Sequence, residues 1–132
     1  MKPNLLIDGS NVLFWVGNKP QADIPALVTR ALVARRFIPA VYFDNSIFLH
    51  MQQDLIDQLA TLAHVVIAPA GTPADALLLE ASGQGRRQIV SNDRFRAWRT
   101  QHPALQAKWL VTGRIEKGGR ASFSKKLKPA LL

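Results

Sequence analysis

Apolar residues in this chain occur alternately in short continuous runs and in helically spaced stripes. The runs are β-rich and stop at polar turn residues, as Leu5-Leu6-Ile7 does at Asp8-Gly9-Ser10-Asn11. Runs of this kind predict buried strands. There are five of them, at residues 5–7, 40–43, 64–67, 88–90 and 109–111.

Helical stripes fill the intervals between these strands. Pro73 suits a first helical position, and Gly83 is expected to end the helix that follows it. Strands that alternate with helices predict an α/β fold, a three-layer α/β/α domain around a central, mostly parallel, five-stranded sheet. The four predicted helices cover residues 24–36, the apolar stripe from Ile47 to Leu62, residues 72–81, and a segment that begins at Asn92-Asp93 with Phe95 and Trp98 on one side.

The chain is predicted to form one domain, residues 1–132. Its last part, residues 114–132, is a basic tail. Two short β-like stretches flank Lys117-Gly118-Gly119-Arg120, and they predict a hairpin. Beyond the hairpin, the segment from Lys125 to Pro129 is expected to be mobile.

Composition narrows the classes of function. The chain contains no cysteine, which excludes disulfide scaffolds, thiolate zinc sites, iron–sulfur clusters and cysteine nucleophiles. Only three consecutive apolar residues precede Asp8, too few for a signal peptide, and nowhere do the ~18 apolar residues of a membrane span occur. We therefore expect a cytoplasmic protein without a membrane span.

The formal net charge of +8 is unevenly distributed along the chain. Residues 1–85 contain 5 basic and 7 acidic residues, whereas residues 86–132 contain 12 basic and 2 acidic residues. One part of the chain thus carries all the excess positive charge, which favours a polyanionic partner, either a nucleic acid or an anionic membrane surface. The alternative is a solvated basic face that only aids solubility.

Four aspartates follow the predicted strands. Asp8 ends the first, Asp44 the second, Asp75 starts the helix after the third, and Asp93 follows the fourth. Because ligands of an open α/β sheet bind outside the carboxyl ends of its strands, these side chains are expected to meet at one edge. Clustered carboxylates without histidine or cysteine favour Mg²⁺ or Mn²⁺.

Each aspartate also has a purely structural explanation. Asp8, Asp44 and Asp93 could form turns or helix caps, and Asp75 has the capping-box spacing from Thr72. Four independent caps would not need to share one edge of the sheet, which favours a cation site. Such a site gives no role to an anionic membrane surface, so no membrane partner is expected.

Other candidate chemistries have less support. The chain contains neither GxxxxGK[ST] nor GxGxxG after a strand, so no nucleotide cofactor is indicated. His50 and His102 are interpreted as surface residues and His64 as a strand start. Phe14 and Trp15 could stack on a base, but aromatic residues at such positions more often pack in the core.

Two segments carry a family resemblance. Ile7-Asp8-Gly9-Ser10-Asn11-Val12 follows the first strand, and Val90-Ser91-Asn92-Asp93 follows the fourth, with Arg94-Phe95-Arg96 after it. Together with the spacing from Asp75 to Asp93, they resemble the PIN-like NYN ribonucleases, especially the Regnase-like branch. The resemblance covers residues 4–112 and implies a PIN-like, Rossmann-like fold that cleaves RNA, single-stranded or structured.

The resemblance also implies roles for individual residues. Asp8, Asp75 and Asp93 would hold the Mg²⁺ or Mn²⁺ ion, with Asp44 as an additional candidate, and Asn11 would join them in a catalytic set that hydrolyses RNA internally to 5′-phosphate products. PIN-like domains often pair, so a homodimer stays open. The expected RNA contacts are Ser10, Ser91, Asn92, Arg94, Arg96, Arg99, Arg114, Lys117, Arg120, Lys125 and Lys126.

The chain departs from the family pattern at the start of the third helix, where Ala74 stands in place of a second aspartate. One metal ligand is then missing, which keeps a catalytically silent RNA-binding module of the same fold as an alternative. A DNA or flap nuclease and a small phosphatase are further alternatives. The phosphatase is disfavoured because the first strand ends Asp8-Gly9-Ser10 and not Asp-x-Asp.

Overall fold

The computed structural model describes residues 2–103 and 105–131, so the two ends of the predicted domain, Met1 and Leu132, lie outside the described residues. Five strands form one sheet in the order β3-β2-β1-β4-β5, and every neighbouring pair is parallel. This confirms the predicted α/β fold class. The strands are β1 (Leu5–Asp8), β2 (Pro39–Phe43), β3 (His64–Ile67), β4 (Ile89–Val90) and β5 (Leu110–Val111).

Four helices accompany the sheet, and they cover both of its faces. α2 and α3 share a core cluster with Leu5 and Ile7 of β1, whereas α4 shares a second cluster with Leu6. Side chains of a strand alternate between the faces of a sheet, so one apolar run on the central strand supplies both cores. The helices are α1 (Gly9–Val12), α2 (Ile24–Ala34), α3 (Gln53–Ala60) and α4 (Ala74–Gly85).

Two predicted helix bounds are wrong. The stripe from Ile47 to Leu62 splits into a 3-10 turn at Asn45–Leu49 and α3, because the backbone at Gln52 is extended. Gly83 lies inside α4, which ends at Gly85 because Arg86 adopts a left-handed φ of 51°. An apolar stripe shows which positions are buried but not where the backbone turns between them.

The predicted fourth helix is absent, and only Arg96–Trp98 forms a 3-10 turn. The backbone N–H of Phe95 donates to Asp93 Oδ1 at 2.8 Å, and Phe95 has a left-handed φ of 54°. Phe95 is also only 1% exposed, within the second core cluster. This tight turn and the burial of Phe95 take the place of a regular helix.

The predicted hairpin is confirmed, with β6 (Gly113–Ile115) antiparallel to β7 (Ala121–Phe123). The expectation that the segment after it is mobile is wrong. The backbone N–H of Lys128 donates to Gln88 Oε1 at 2.7 Å, and Leu127 packs against the first core cluster. These contacts hold the tail against the sheet. Among the described residues, no helix is long and apolar enough to cross a membrane.

Candidate active site

The four predicted aspartates line one cavity of about 360 Å³ at the carboxyl edge of the sheet, which we call the acid pocket. Asp8 is the last residue of β1, Asp44 follows β2, and Asp75 lies in the first turn of α4. Asp93 follows β4. The acid pocket is also lined by Ser10, Asn11, Leu13, Phe14, Ser46, Ile47 and His50.

Asp8 stands where the chain passes directly from β1 into α1. Its Oδ1 accepts the backbone N–H of Asn11 at 3.2 Å, which caps α1. The next residue is glycine because a Cβ at Gly9 would collide with the rings and methyls of Phe43 and Val41. The close approach of β2 therefore requires glycine directly after Asp8.

The Asp8 carboxyl is only 3% exposed, and burial raises its pKa to about 7. The negative charges of Asp75 and Asp93 also raise this pKa, whereas hydrogen bonds from Ser91 and Asn11 oppose the shift. An isolated buried carboxylate is costly, so the group takes up a proton at a higher pH than it would in water. Near neutral pH, Asp8 is partly protonated unless a cation neutralises it.

Asp75 shares this electrostatic strain. Burial raises its pKa, and the neighbouring charges of Asp93 and Asp44 raise it further, while Trp98 acts in the opposite direction. Each of these two carboxyls thus feels the negative charge of two neighbouring aspartates. Mutual repulsion of this kind is relieved when a cation binds between the groups.

The local capping roles considered for these aspartates are partly realised, but through different partners. Asp44 Oδ1 accepts the backbone N–H of Ala74 at 2.8 Å and so caps α4 from 30 positions away. Asp93 holds the turn at Phe95. The capping box between Thr72 and Asp75 does not form, because the residue at the helix N-cap is Pro73, whose side chain has no group that could cap the helix.

The donor set of the acid pocket fits a hard divalent cation. Within residues 2–103 and 105–131, no three Asp, Glu or His side chains lie close enough together to form a preformed metal cluster. Mg²⁺ does not require one, because it keeps several water ligands and binds proteins through one or two carboxylates. Oxygen ligands alone also suit Mn²⁺ better than Zn²⁺.

Asn11, Ser91 and Asn92 form a hydrogen-bonded scaffold behind the pocket. Ser91 Oγ donates to Asp8 Oδ2 at 2.8 Å and accepts the backbone N–H of Asp93 at 3.0 Å. Ser91 has no exposed surface, so its predicted contact with RNA is corrected to a positioning role. Asn92 makes two bonds to the backbone of Gly113, which commits its side-chain amide to β6.

Asn11 lies at the centre of this scaffold. Its Oδ1 accepts the indole N–H of Trp15 at 2.8 Å and the backbone N–H of Asn92 at 2.8 Å. The scaffold thereby links α1, the loop after β4 and the hairpin. Gly113 also lies tightly against the Trp15 ring, where a Cβ would be 2.6 Å from a ring carbon.

The predicted cationic contacts are distributed over several surfaces, and none of the lysines or arginines among the described residues lines the acid pocket. Arg94 and Arg96 are exposed beside Asp93. Arg99 donates twice to the carbonyl of Arg94, at 3.3 and 3.0 Å, and closes this loop. Because the predicted fourth helix does not form, these three arginines lie along a turn and not on one helix.

Phe14 and His50 line the pocket, which the sequence did not predict, although His50 is exposed as expected. Phe14 is 40% exposed and is not a core residue, and its ring meets the His50 ring edge-on, with 6.1 Å between centroids. Both residues line the acid pocket, as does Ser46. The signal available in the sequence was position, since His50 and Ser46 lie in the connection that follows the carboxyl end of β2.

A comparison with models of protein families shows to which family the chain is related. The family described as "Zc3h12a-like Ribonuclease NYN domain" matches residues 1–115. This chain belongs to that ribonuclease family. The match ends at the last residue of β6, so β7 and the tail of this NYN domain lie beyond it. No curated protein sequence matches the chain.

Two solved structures share the fold of this NYN domain. "Arabidopsis thaliana nuclear protein-only RNase P 2 (PRORP2)" matches with a TM-score of 0.74 and 15% identity over 95% of this chain. A second structure, "Crystal Structure of nuclear proteinaceous RNase P 2 (PRORP2) from A. thaliana", matches with a TM-score of 0.72 and 16% identity over 92% of this chain. The chain spans only 30% and 29% of these proteins, so the likeness concerns the fold of one part of them.

Proposed function

We propose that this NYN domain is a divalent-metal-dependent endoribonuclease whose catalytic centre is the acid pocket. One observation carries the proposal: in a chain of a ribonuclease family, the buried Asp8 carboxyl faces the charges of Asp75 and Asp93 without a cationic side chain in the pocket. This arrangement costs free energy in the metal-free protein, and a bound cation removes that cost.

Asp8, Asp75 and Asp93 would hold Mg²⁺ or Mn²⁺, directly or through water. When bound, the ion supplies a water of lowered pKa and neutralises charge that develops on the phosphate. The chain's own residues orient this centre. Ser91 and Asn11 hold the two oxygens of Asp8, and Ser10 accepts the backbone N–H of Asp44 at 2.9 Å.

Exposed side chains near the pocket are the candidates for contacts with the RNA substrate. Arg94 and Arg96 are exposed beside Asp93 and would bind phosphates that flank the scissile bond. Phe14 presents an exposed ring on the rim of the pocket, with His50 against its edge, and would stack on an unpaired base. A stacking contact of this kind favours single-stranded over duplex RNA. A cytoplasmic location and pairing into a homodimer stay predictions.

The silent RNA-binding module is the second candidate, and Ala74 is the observation that favours it. Ala74 is 1% exposed, and its backbone N–H donates to Asp44. Asp44 therefore brings a carboxylate to the start of α4, beside the position where the family carries its second aspartate. This contact supports compensation of the missing ligand, and it is the reason we favour an active enzyme.

Incubation with nucleic acid tests the proposal. Labelled single-stranded RNA, matched DNA and circular RNA are each treated with the protein in Mg²⁺, Mn²⁺ or EDTA. We expect both RNA substrates to be cut with metal only, and the circle to be opened because an endonuclease needs no free end. Asp75→Asn should abolish cutting, while Asp54→Asn, an exposed carboxylate in the first turn of α3, serves as the matched control.

Three outcomes would contradict the proposal. RNA that stays intact with metal while it is retarded in a gel would establish the silent module. Faster cutting of DNA than of RNA would establish a DNA nuclease. A circle that stays intact while linear RNA is degraded would establish an exonuclease.

A further inference from the structure

A second cavity, of about 750 Å³, lies between the end of α2 and the hairpin with its tail, and we call it the basic groove. The acid pocket and the proposed reaction do not use it. Five cationic side chains line the groove: Arg35, Lys117, Arg120, Lys125 and Lys126. Arg35 comes from the acidic part of the chain, so the groove is not simply an extension of the basic tail.

The positive charge of the basic groove is poorly neutralised. Its single carboxylate, Glu116, forms an ion pair of 3.0 Å with Arg114 and accepts a hydrogen bond from Ser122 at 2.8 Å. Among the described residues this is the one ion pair within 4.0 Å. Lys125 donates to the carbonyl of Ala107 at 2.9 Å, which leaves its charge uncancelled. A groove with this excess of cations attracts a polyanion.

The walls of the basic groove are fixed by the core. Ala121 is buried, and Phe37, Phe123 and Leu127 pack against the first core cluster. The guanidinium of Arg35 lies over the Phe123 ring, 5.0 Å from its centroid. Such a contact restrains the guanidinium and leaves its edge free to donate hydrogen bonds. The groove therefore presents its cations on a prearranged surface.

The basic groove and the acid pocket lie at different edges of the sheet. Arg35 directly follows α2, and Phe37 precedes β2 by two positions, so both lie at the amino edge. The acid pocket lies at the carboxyl edge, and α2 begins on that side. At 1.5 Å per residue, the 11 residues of α2 separate its ends by about 16 Å.

We infer that the basic groove is a second RNA-backbone site, which holds a strand at a distance from the acid pocket and so selects long RNA over short RNA. The ligand it takes is the phosphodiester backbone, read by charge and not by sequence. The identity of the polyanion as RNA rests on the proposed function. The separation of the two sites rests on the geometry alone.

Binding in EDTA tests this inference without requiring cleavage. The full chain is titrated with single-stranded RNAs of about 4 and about 16 nucleotides at several salt concentrations. The groove variant carries Arg35→Gln and Arg120→Gln. The control variant carries Arg30→Gln and Arg86→Gln, which remove the same charge from exposed arginines outside both cavities.

For the longer RNA, we expect the groove variant to bind about tenfold more weakly and its slope of log affinity against log salt to become shallower by about 1.4, the value for two lost phosphate contacts. The control variant should match the wild type. The short RNA can occupy only one site at a time, so the groove variant should lose less affinity for it than for the longer RNA. Equal weakening in the groove and control variants would overturn the inference, because net charge would then explain it. So would equal weakening for both RNA lengths.

Two further measurements distinguish a folding defect from a binding defect, and a failure of the second site from a failure of the proposed function. If thermal unfolding shows that Arg35→Gln disrupts the fold, Lys117→Gln with Arg120→Gln replaces it, since both side chains are exposed at the hairpin. If the wild type fails to cut RNA but shows the length-dependent effect, the proposed function fails and the second site stands. If the wild type cuts RNA and the groove variant binds RNA normally, the proposed function stands and the second site fails.

Discussion

The acid pocket and the basic groove lie at opposite edges of one sheet, and they are assembled in different ways. Asp8, Asp44, Asp75 and Asp93 are spread over 85 positions and meet because parallel strands end at one edge. The cations of the groove come mainly from residues 117–126, joined by Arg35. The pocket buries Asp8 and half-buries Asp44 and Asp75, whereas all five cations of the groove are exposed. Burial shifts the pKa of a carboxyl group, whereas exposed cations attract a polyanion from a distance.

This difference predicts that changes to the aspartates of the pocket alter the reaction and changes to the cations of the groove alter binding. The largest effect is expected for Asp93→Asn. Asparagine retains an Oδ1 that can accept the Phe95 N–H, so the turn should survive, while the metal site loses a charge. We expect kcat to fall by about 10³-fold or more, with RNA affinity in EDTA within a few-fold of the wild type. Equal loss of both would mean that Asp93 is structural.

The second prediction concerns stability and pH. The pKa of Asp8 is about 7 in the folded protein and near 3.8 when the chain unfolds, so the folded state binds more protons between these values. The free energy of unfolding in EDTA should therefore fall as the pH rises from about 4 through 7, by up to about 4 kcal/mol from this group. Urea titrations at several pH values measure it.

Asp8→Asn isolates the contribution of Asp8 from those of other carboxylates. The variant should lose this part of the pH dependence and be more stable than the wild type at pH 8 in EDTA, although it should be inactive. Added Mg²⁺ should stabilise the wild type at pH 8 but not the variant. A variant that is less stable at pH 8 would show that the Asp8 carboxylate is favourably paired without metal.

The third prediction tests the connection between the hairpin and the pocket scaffold. In Gly113→Ala, the added methyl would meet the Trp15 ring at 2.6 Å and the carbonyl oxygen of Ser122 at 2.7 Å. We expect a loss of about 1–3 kcal/mol in the free energy of unfolding, because tightly packed sites tolerate overpacking poorly. Gly83→Ala is the matched control, since its helix position is open, and it should stabilise the protein by about 1 kcal/mol.

The fourth prediction concerns single-stranded substrates. Phe14→Ala should weaken binding of single-stranded RNA in EDTA by about 1–3 kcal/mol, the usual value of a base stacked on an aromatic ring. Duplex RNA should bind the variant and the wild type equally. Phe48→Ala removes a ring of similar exposure that does not line the pocket, and it should have no effect. A Phe14 variant with unchanged affinity would remove stacking from the proposal.

Several features were predictable because they depend on local pattern and topology. The five strands were predicted correctly, since strands of a parallel sheet are covered on both faces and are therefore rich in apolar residues. Only the edge strand β3 is less buried than predicted, with His64 exposed and its other residues half-buried. The hairpin followed from Gly118 and Gly119, which have φ values of 97° and 88° in the turn. The meeting of the aspartates at one edge followed from parallel topology, without knowledge of any contact.

Other features depend on packing between distant segments. The cap of α4 comes from Asp44, 30 positions away, so the local capping box at Thr72 was a misleading pattern. The pairing of Phe14 with His50 depends on how the turn after β2 approaches α1. Likewise, the tail is anchored by Gln88, a residue 40 positions from Lys128.

By itself, the amino-acid sequence determined the positions of the five strands, the family, and the set of acidic residues that can meet at one edge of the sheet. Only the tertiary structure decided what these residues can do. The pKa of Asp8 depends on its burial and on Asp75 and Asp93, and the position of the cations depends on where the hairpin packs on α2. Desolvation and Coulomb energies depend on the distances between groups in space, and these distances cannot be obtained from the separation of the groups along the chain.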